Sequence, residues 1–258
     1  MTRGQGKCSG LPPARVTDVG EIVLPGVRAS FSDGGPGEPL VIVAGGREPS
    51  LPWLRDLLPG KELWCADSGL VPCMKAGFTP SRLLGDGDST PPALWEQVAS
   101  GGTTAVESYP ADKDFTDLQL AFFRAAGEGR REVVVSGCWS GRFDHLWSAV
   151  HSALWAAERG VRVLAFADHL EVLFLVYGGE EWELDVTAGS YSVLSLLPLG
   201  GECGGVFLKG AKWELKNAGL LPGRPFAVSN RLVDKEKPRI SVREGILGVY
   251  LGSGEKAG

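Results

Sequence analysis

The stretch that decides the fold is residues 83–89, which read LLGDGDS. Two leucines end at Gly85, and two aspartates follow one residue apart with Gly87 between them. If the apolar lead-in is a strand, both carboxylates lie beyond its carboxyl end, which is the edge where open α/β sheets bind ligands. A polar turn is the alternative, because Asp and Gly are common turn residues. The surrounding elements therefore have to decide between a ligand site and a turn.

Strands and helices alternate through the first two thirds of the chain. Apolar, β-branched runs such as residues 40–44 and 132–136 predict buried parallel strands. A helical stripe over residues 118–126 is typical of the crossovers between such strands. After Gly178 the helical periodicity fades, and short extended runs recur between Gly-rich turns, among them residues 190–197, 205–208 and 225–229. This pattern predicts an antiparallel sandwich or barrel.

These patterns divide the chain into three segments. Residues 1–37, rich in Gly, Pro and Ser, are interpreted as an irregular lead-in with room for short strands at 22–24 and 27–31. Residues 38–177 are predicted to form a mostly parallel α/β sheet domain. Residues 178–258 are predicted to form a C-terminal antiparallel β-sandwich domain, so the fold class is α/β with an added β domain.

Composition excludes several classes of function. The net charge is -5, from 31 acidic against 26 basic residues, and no basic stripe is present, which argues against a nucleic-acid partner. No apolar run reaches the roughly 18 residues of a membrane span, and the N-terminus lacks the apolar core of a signal peptide. The five cysteines form no C-x-x-C pair, so we expect reduced thiols in a cytoplasmic protein.

Aspartates collect where the predicted strands end and the predicted helices begin. They are Asp67, Asp86, Asp88, Asp114, Asp117 and Asp144. At one shared sheet edge these carboxylates would repel one another unless a cation offset their charge. Mg²⁺ suits such a site, because it prefers oxygen ligands and pairs with substrate phosphates. The cluster is thus typical of phosphoryl transfer, with Lys113 and Arg142 nearby to hold phosphate oxygens.

Competing chemistries lack their motifs. The chain has no G-x-x-x-x-G-K-[ST] phosphate loop and no G-x-G-x-x-G turn, so neither a P-loop enzyme nor an ordinary dinucleotide binder is indicated. No G-x-S-x-G nucleophile elbow occurs either. Trp213 lies in a predicted polar strand over residues 212–215. Its ring could stack on a flat cationic ligand or pack within the sandwich.

Five motifs in order give the chain a family resemblance. They are ADSG at 66–69, LGDGDS at 84–89, KDFTD at 113–117, GRFDH at 141–145 and SN at 229–230. With these motifs the chain resembles the thiamine pyrophosphokinases. The resemblance implies an N-terminal α/β domain, a C-terminal β-sandwich, and Mg²⁺-dependent transfer of the pyrophosphoryl group of ATP to thiamine, giving AMP. It also implies a homodimer with sites at the interface.

The same resemblance assigns roles residue by residue. For Mg²⁺ and the phosphates it implies Asp86, Asp88 and Asp117, with Asp67 supporting the metal or orienting the hydroxyl. For ATP it implies Lys113, Asp114, Arg142, Asp144 and His145. For thiamine it implies Trp213, Ser229 and Asn230. Two alternatives stay open: a pyrophosphokinase acting on a pterin alcohol, and a non-catalytic protein that binds thiamine or a nucleotide.

Overall fold

The first regular structure is a β-hairpin in the segment predicted to be an irregular lead-in. The computed structural model describes residues 19–35, 37–110, 112, 114–139 and 142–253. Within it, β1 (Val19–Leu24) pairs antiparallel with β2 (Val27–Ser32). Alternate side chains of β1 are buried, as expected for a strand with one face on a core. The two short strands allowed for at 22–24 and 27–31 are therefore present within longer ones, and the segment is regular rather than irregular over residues 19–32.

Parallel strands follow and form one half of a large sheet. They are β3 (Leu40–Val43), β4 (Leu63–Ala66), β5 (Arg82–Gly85), β6 (Ala105–Ser108), β7 (Glu132–Ser136) and β8 (Arg162–Ala167). Their spatial order is β6-β5-β4-β3-β7-β8, with every neighbour parallel. The sequence runs outward from β3 to β6 and then returns to β7 on the other side of β3. This reversal opens a crevice at the carboxyl ends of β3 and β7.

Helices cover both faces of this parallel part. They are α1 (Leu51–Leu57), α2 (Leu70–Ala76), α3 (Pro92–Ser100), α4 (Asp117–Gly127) and α5 (Phe143–Ala157), with a 3₁₀ turn at Asp67–Gly69. Val41 and Val43 pack in the same core as α1, α2 and α3. Leu40 and Ile42 pack with α4 and α5. Strand β3 is thus buried on both faces, as its continuous apolar sequence predicts.

The sheet continues without a break into antiparallel strands. They are β9 (Glu171–Tyr177), β10 (Glu181–Val186), β11 (Val193–Lys209), β12 (Leu215–Leu220), β13 (Asn230–Arg231), β14 (Arg239–Ser241) and β15 (Glu244–Gly252). Strand β9 pairs with β8 on one side and with β15 on the other. The hairpin β1–β2 joins the same sheet through β10. The fold is a mixed α/β structure built on one large sheet.

Some predicted strands of this part differ from those observed. The runs predicted at 190–197 and 205–208 join, from Val193 on, in one long strand, β11, which pairs with several partners along its length. The segment predicted as a strand at 225–229 is irregular, with bends at 227 and 229, and Trp213 lies in a bend before β12. Apolar runs mark buried stretches, but a continuous strand can cross a glycine pair such as Gly200 and Gly201.

A buried ion pair ties the parallel and antiparallel parts together. Glu180, 5% exposed, accepts hydrogen bonds from Arg162 Nη2 of β8 and, at 2.8 Å, from Trp182 Nε1 of β10. Arg162 Nη1 also donates to the Asp33 carbonyl at 2.6 Å, just after β2.

Among the described helices, none is both long enough and apolar enough to cross a bilayer.

Candidate active site

A cleft of about 1180 Å³ opens at the carboxyl edge of the parallel strands. The described residues that line it follow β3, β4, β5, β6 and β7 or lie at the starts of α4 and α5. This is the crevice at which the strand order reverses, so loops from many parts of the chain meet there. The predicted aspartates at the strand ends do share this edge.

Asp67, Asp86 and Asp88 form the acidic centre of the cleft. One carboxylate oxygen from each lies within 4.8 Å of the others. Asp86 and Asp88 converge because Gly87 between them has a φ of +75°, a left-handed conformation that favours glycine. The Asp86 Oδ1 also accepts the Asp88 N–H at 3.1 Å. The predicted polar turn is thus present, and it brings the Asp86 and Asp88 carboxylates together in the cleft.

Asp67 has an unusual backbone conformation and two hydrogen bonds from hydroxyl groups, which its sequence context does not predict. Its φ is +50°, which is uncommon for a residue with a side chain. Its Oδ2 accepts a hydrogen bond from the Ser89 hydroxyl, and its Oδ1 accepts one from the Thr90 hydroxyl at 3.3 Å. Thr90 is 2% exposed. Both hydroxyl residues lie beside the predicted Asp86–Asp88 pair, but sequence reasoning gave neither of them a role.

Asp117 lies at the start of α4 and lines the cleft. Helix α4 begins with a capping box: the Thr116 hydroxyl accepts the Gln119 N–H at 3.2 Å, and the Gln119 side chain accepts the Thr116 N–H at 3.0 Å. This fixes Asp117 in the first turn, where the positive end of the helix dipole favours an acid. Asp117 lines the cleft together with Asp114 but lies outside the Asp67–Asp86–Asp88 group.

The start of α5 brings a cation to the same cleft. Arg142 Nη2 forms an ion pair with Asp144 Oδ2 at 2.7 Å, and both side chains are exposed. The hydrogen bond from Arg142 holds the pKa of the Asp144 carboxyl below its ordinary value. Arg142 and His145 line the cleft, whereas Asp144 contributes through Arg142. Lys113, predicted to hold phosphate, lies outside the described residues.

Arg47, which sequence reasoning missed, also lines the cleft, directly after Gly46. Its Nε donates to the fully buried Asp168 Oδ2 at 2.7 Å, and its Nη2 donates to Glu171 Oε1 at 2.6 Å. Although partial burial lowers it, these hydrogen bonds raise the pKa of Arg47 above its ordinary value. The Tyr250 hydroxyl donates to the second Glu171 oxygen at 2.9 Å. A basic residue after a strand-ending Gly-Gly pair was the available signal.

The residues predicted to bind thiamine lie apart from this cleft, which is lined by described residues between positions 44 and 149. The Asn230 side chain accepts the Trp213 N–H at 3.1 Å and donates to the Trp213 carbonyl at 2.7 Å. Asn230 is buried and Trp213 is 55% exposed. Ser229 has a φ of +58° and donates its N–H to Ser195 Oγ at 2.9 Å. Asn230 therefore fixes the loop that presents the Trp213 ring.

Comparison with known proteins matches two family models along the chain, in order. The model described as thiamin pyrophosphokinase, catalytic domain, matches residues 57–165. The model described as thiamin pyrophosphokinase, vitamin B1 binding domain, matches residues 180–247. Together they cover more than half of the 258 residues.

A curated relative and solved structures agree with these models. The thiamine pyrophosphokinase of Bacillus subtilis (strain 168) is 26% identical over 207 residues, covering 80% of this chain and 94% of that protein. The crystal structure of the thiamin pyrophosphokinase from Geobacillus thermodenitrificans has a TM-score of 0.70 and 28% identity, covering 85% of this chain and 99% of that one. The Bacillus subtilis crystal structure, 22% identical with a TM-score of 0.73, shares the fold over 84% of this chain and 100% of that one.

Proposed function

The chain belongs to the thiamin pyrophosphokinase family, and from this premise we propose that it transfers the pyrophosphoryl group of ATP to the hydroxyl of thiamine. A bond forms between the thiamine oxygen and the β-phosphorus of ATP, and the bond from that phosphorus to the oxygen that bridges it to the α-phosphorus breaks. AMP leaves with the bridging oxygen, and the hydroxyl proton passes to solvent. The observation that carries this proposal is the convergence of Asp67, Asp86 and Asp88 in the cleft at the strand-order reversal. Transfer of this kind depends on positioning and on neutralising charge more than on covalent catalysis.

The same three carboxylates fit a magnesium ion. Their oxygens lie within 4.8 Å of one another, and carboxylate oxygen is the ligand type that Mg²⁺ prefers. We propose that Asp67, Asp86 and Asp88 hold the ion, with Asp117 nearby to contact it or the phosphates. The ion would offset the negative charge of the phosphates during transfer.

The ATP phosphates are proposed to bind near the starts of α4 and α5. Residues at both helix N-termini line the cleft, and the positive end of a helix dipole favours anions. Arg142 supplies a guanidinium that can hold phosphate oxygens, and Asp144 orients it. Lys113, Asp114 and His145 are proposed to complete the nucleotide site.

Thiamine recognition is proposed to need a second copy of the chain. Trp213, Ser229 and Asn230 lie outside the cleft of their own chain, and a homodimer would place Trp213 of the partner subunit against that cleft. The exposed Trp213 ring suits a flat cationic ring such as thiazolium. We further propose residues 38–177 as the catalytic domain and 178–258 as a thiamine-binding β-sandwich. A cytoplasmic location is supported by the free buried thiols of Cys65, Cys73, Cys138 and Cys203.

The test is an assay of the purified full chain with ATP and thiamine, with and without Mg²⁺. We expect AMP and thiamine diphosphate in equal amounts, and only with the metal. Asp86→Asn should abolish AMP formation because it removes a carboxylate charge from the acidic centre. Asp56→Asn, an exposed position on α1, is the matched control and should retain full turnover.

Other outcomes would redirect the proposal. AMP release with a hydroxymethyl pterin but not with thiamine would favour the pterin alternative. Ligand binding without AMP release would favour a non-catalytic protein. Normal turnover in Asp86→Asn would contradict the assigned site.

A further inference from the structure

We propose that Thr90, together with Ser89, is a positioning residue that holds Asp67 in the orientation the acidic centre requires. This inference rests on the proposed function and adds two residues to it. The two hydroxyls, called the hydroxyl clamp below, donate one hydrogen bond to each oxygen of the Asp67 carboxylate. Neither hydroxyl needs to touch a substrate to act in this way.

The carboxylate of Asp67 needs such a clamp because of its neighbours. It lies beside the carboxylates of Asp86 and Asp88, and like charges at this distance repel. A free Asp side chain would relieve the repulsion by rotating away. Hydrogen bonds from Ser89 and Thr90 to the two oxygens oppose that rotation.

The clamp leaves the carboxylate able to bind a cation. A carboxylate offers about four lone-pair sites, and the hydroxyls of Ser89 and Thr90 use one on each oxygen. The two hydrogen bonds fix the orientation of the Asp67 carboxylate and so fix the direction of its remaining lone pairs. This is the way outer-shell partners orient metal ligands in proteins.

The backbone around Thr90 makes the donor itself rigid. Thr90 is 2% exposed, and Pro91 follows it, which restricts a preceding residue to extended conformations. The same short segment carries Asp86 and Asp88, so two carboxylates and the donors for the third are built as one unit.

The opposite side of Asp67 is fixed by close packing. A Cβ on Gly85 would lie 3.1 Å from the Asp67 Cβ, and Gly85 has a φ of +150°. The backbone of Asp67 is thus confined by strand β5 while its side chain is confined by the hydroxyl clamp. Position and orientation are both set before any ligand arrives.

The test compares Thr90→Val with Thr90→Ser in the full chain. Valine keeps the shape and removes the hydroxyl, whereas serine keeps the hydroxyl. We expect Thr90→Val to weaken binding of Mn²⁺ alone, followed by the free-ion paramagnetic resonance signal, by about tenfold. We expect kcat to fall by about the same factor with little change in the KM for thiamine, and Thr90→Ser to restore both.

Thr104→Val is the matched control. Thr104 is also buried, but its hydroxyl donates to the Pro80 carbonyl at 2.7 Å. These two residues precede β6 and β5, so they lie at the amino ends of the strands, opposite the cleft. Like Thr90→Val, the Thr104→Val variant loses one hydrogen bond donated by a buried threonine hydroxyl. It should therefore change the melting temperature without changing Mn²⁺ affinity. An equal loss of Mn²⁺ affinity in Thr104→Val would overturn the proposal.

If Thr90→Val does not fold, Ser89→Ala, at an exposed position, provides the same measurement on the other donor. Unchanged Mn²⁺ affinity in every folded clamp variant would overturn the inference. The titration needs no turnover, so it separates this inference from the proposed reaction. A wild-type chain that releases no AMP but loses Mn²⁺ affinity on removal of the clamp would refute the reaction and retain the clamp.

Discussion

Trp213 presents an aromatic ring whose environment is already partly set. Lys212 Nζ lies 4.7 Å from the ring centroid, and the Asn230 side chain holds the Trp213 backbone through two hydrogen bonds. Because the Lys212 ammonium group occupies one face of the Trp213 ring, a cationic ligand would bind at the opposite face. The sequence-based role of Asn230 as a direct thiamine contact therefore becomes a proposal that Asn230 positions Trp213.

We expect Trp213→Ala to raise the KM for thiamine about tenfold, because a stacking surface for the cationic ring is lost. The KM for ATP should hardly change, and Trp213→Phe should keep most of the affinity. Steady-state kinetics with each substrate varied in turn measures both. A parallel rise in the KM for ATP would contradict a role confined to thiamine.

Residue roles were predictable where the signal was local. Asp86 and Asp88 follow an apolar strand within a few positions, so their place at the sheet edge could be read directly. The hydrogen bonds of Ser89 and Thr90 to Asp67 could not be predicted, because they join residues more than 20 positions apart through the exact packing of two loops. The only local signal for Arg47 is its place after Gly45 and Gly46, and its partners, which lie more than 120 positions away, could not be predicted.

Between elements, Arg47 connects the loop after β3 to the turn between β8 and β9. Asp168 in that turn is fully buried, and its Oδ1 also accepts the Leu170 N–H at 2.8 Å. A buried polar group is costly unless it is hydrogen-bonded, and these bonds satisfy both oxygens of Asp168. The link therefore fixes one wall of the cleft to the point where the sheet changes from parallel to antiparallel.

Replacing Arg47 by Met should lower the free energy of unfolding by about 3 kcal/mol, because it leaves Asp168 buried without its cationic partner. Arg28→Met is the control: its pair with Glu21 is exposed on both sides, so the loss should stay below about 1 kcal/mol. Urea unfolding of both variants gives the comparison. Equal losses would show that burial of Asp168 does not govern the effect.

Elements were predictable to the extent that their partners were near in sequence. The alternating strands and helices of residues 40–167 form such local units, and their bounds differ from the predicted ones by a few residues. The hairpin β1–β2 pairs with β10, more than 140 residues later, so no local pattern could show that it belongs to the sheet. The segment predicted as a strand at 225–229 receives one main-chain hydrogen bond, from the Leu196 N–H to the Ala227 carbonyl at 2.8 Å, but forms no strand there.

For the whole molecule, Glu180 is the carboxylate at which the parallel part, the antiparallel part and the hairpin meet. Burial raises its pKa above the ordinary value of 4.5, although Arg162 opposes this. The folded state then binds the proton more tightly than the unfolded state does. Ionisation of Glu180 consequently lowers stability as pH rises from 4.5 through the raised pKa.

Glu180→Gln cannot ionise, so its stability relative to the wild type should grow as pH rises above about 4.5. Mismatched hydrogen bonds of the amide add an offset that does not vary with pH. Urea unfolding of both proteins over a pH series from about 4 to about 8 measures the difference. A difference that shrinks with rising pH would show that attraction to Arg162 outweighs the cost of burial.

The position of β15 has a consequence for how the chain is made. β15 lies between β9 and β11, both of which leave the ribosome before it. Until residues 244–252 emerge, the facing edges of β9 and β11 have no main-chain partner, and β9 carries an almost wholly buried apolar run. Such open edges pair readily with other chains. Synthesis therefore includes an interval in which both edges are open to aggregation and chaperones can protect them.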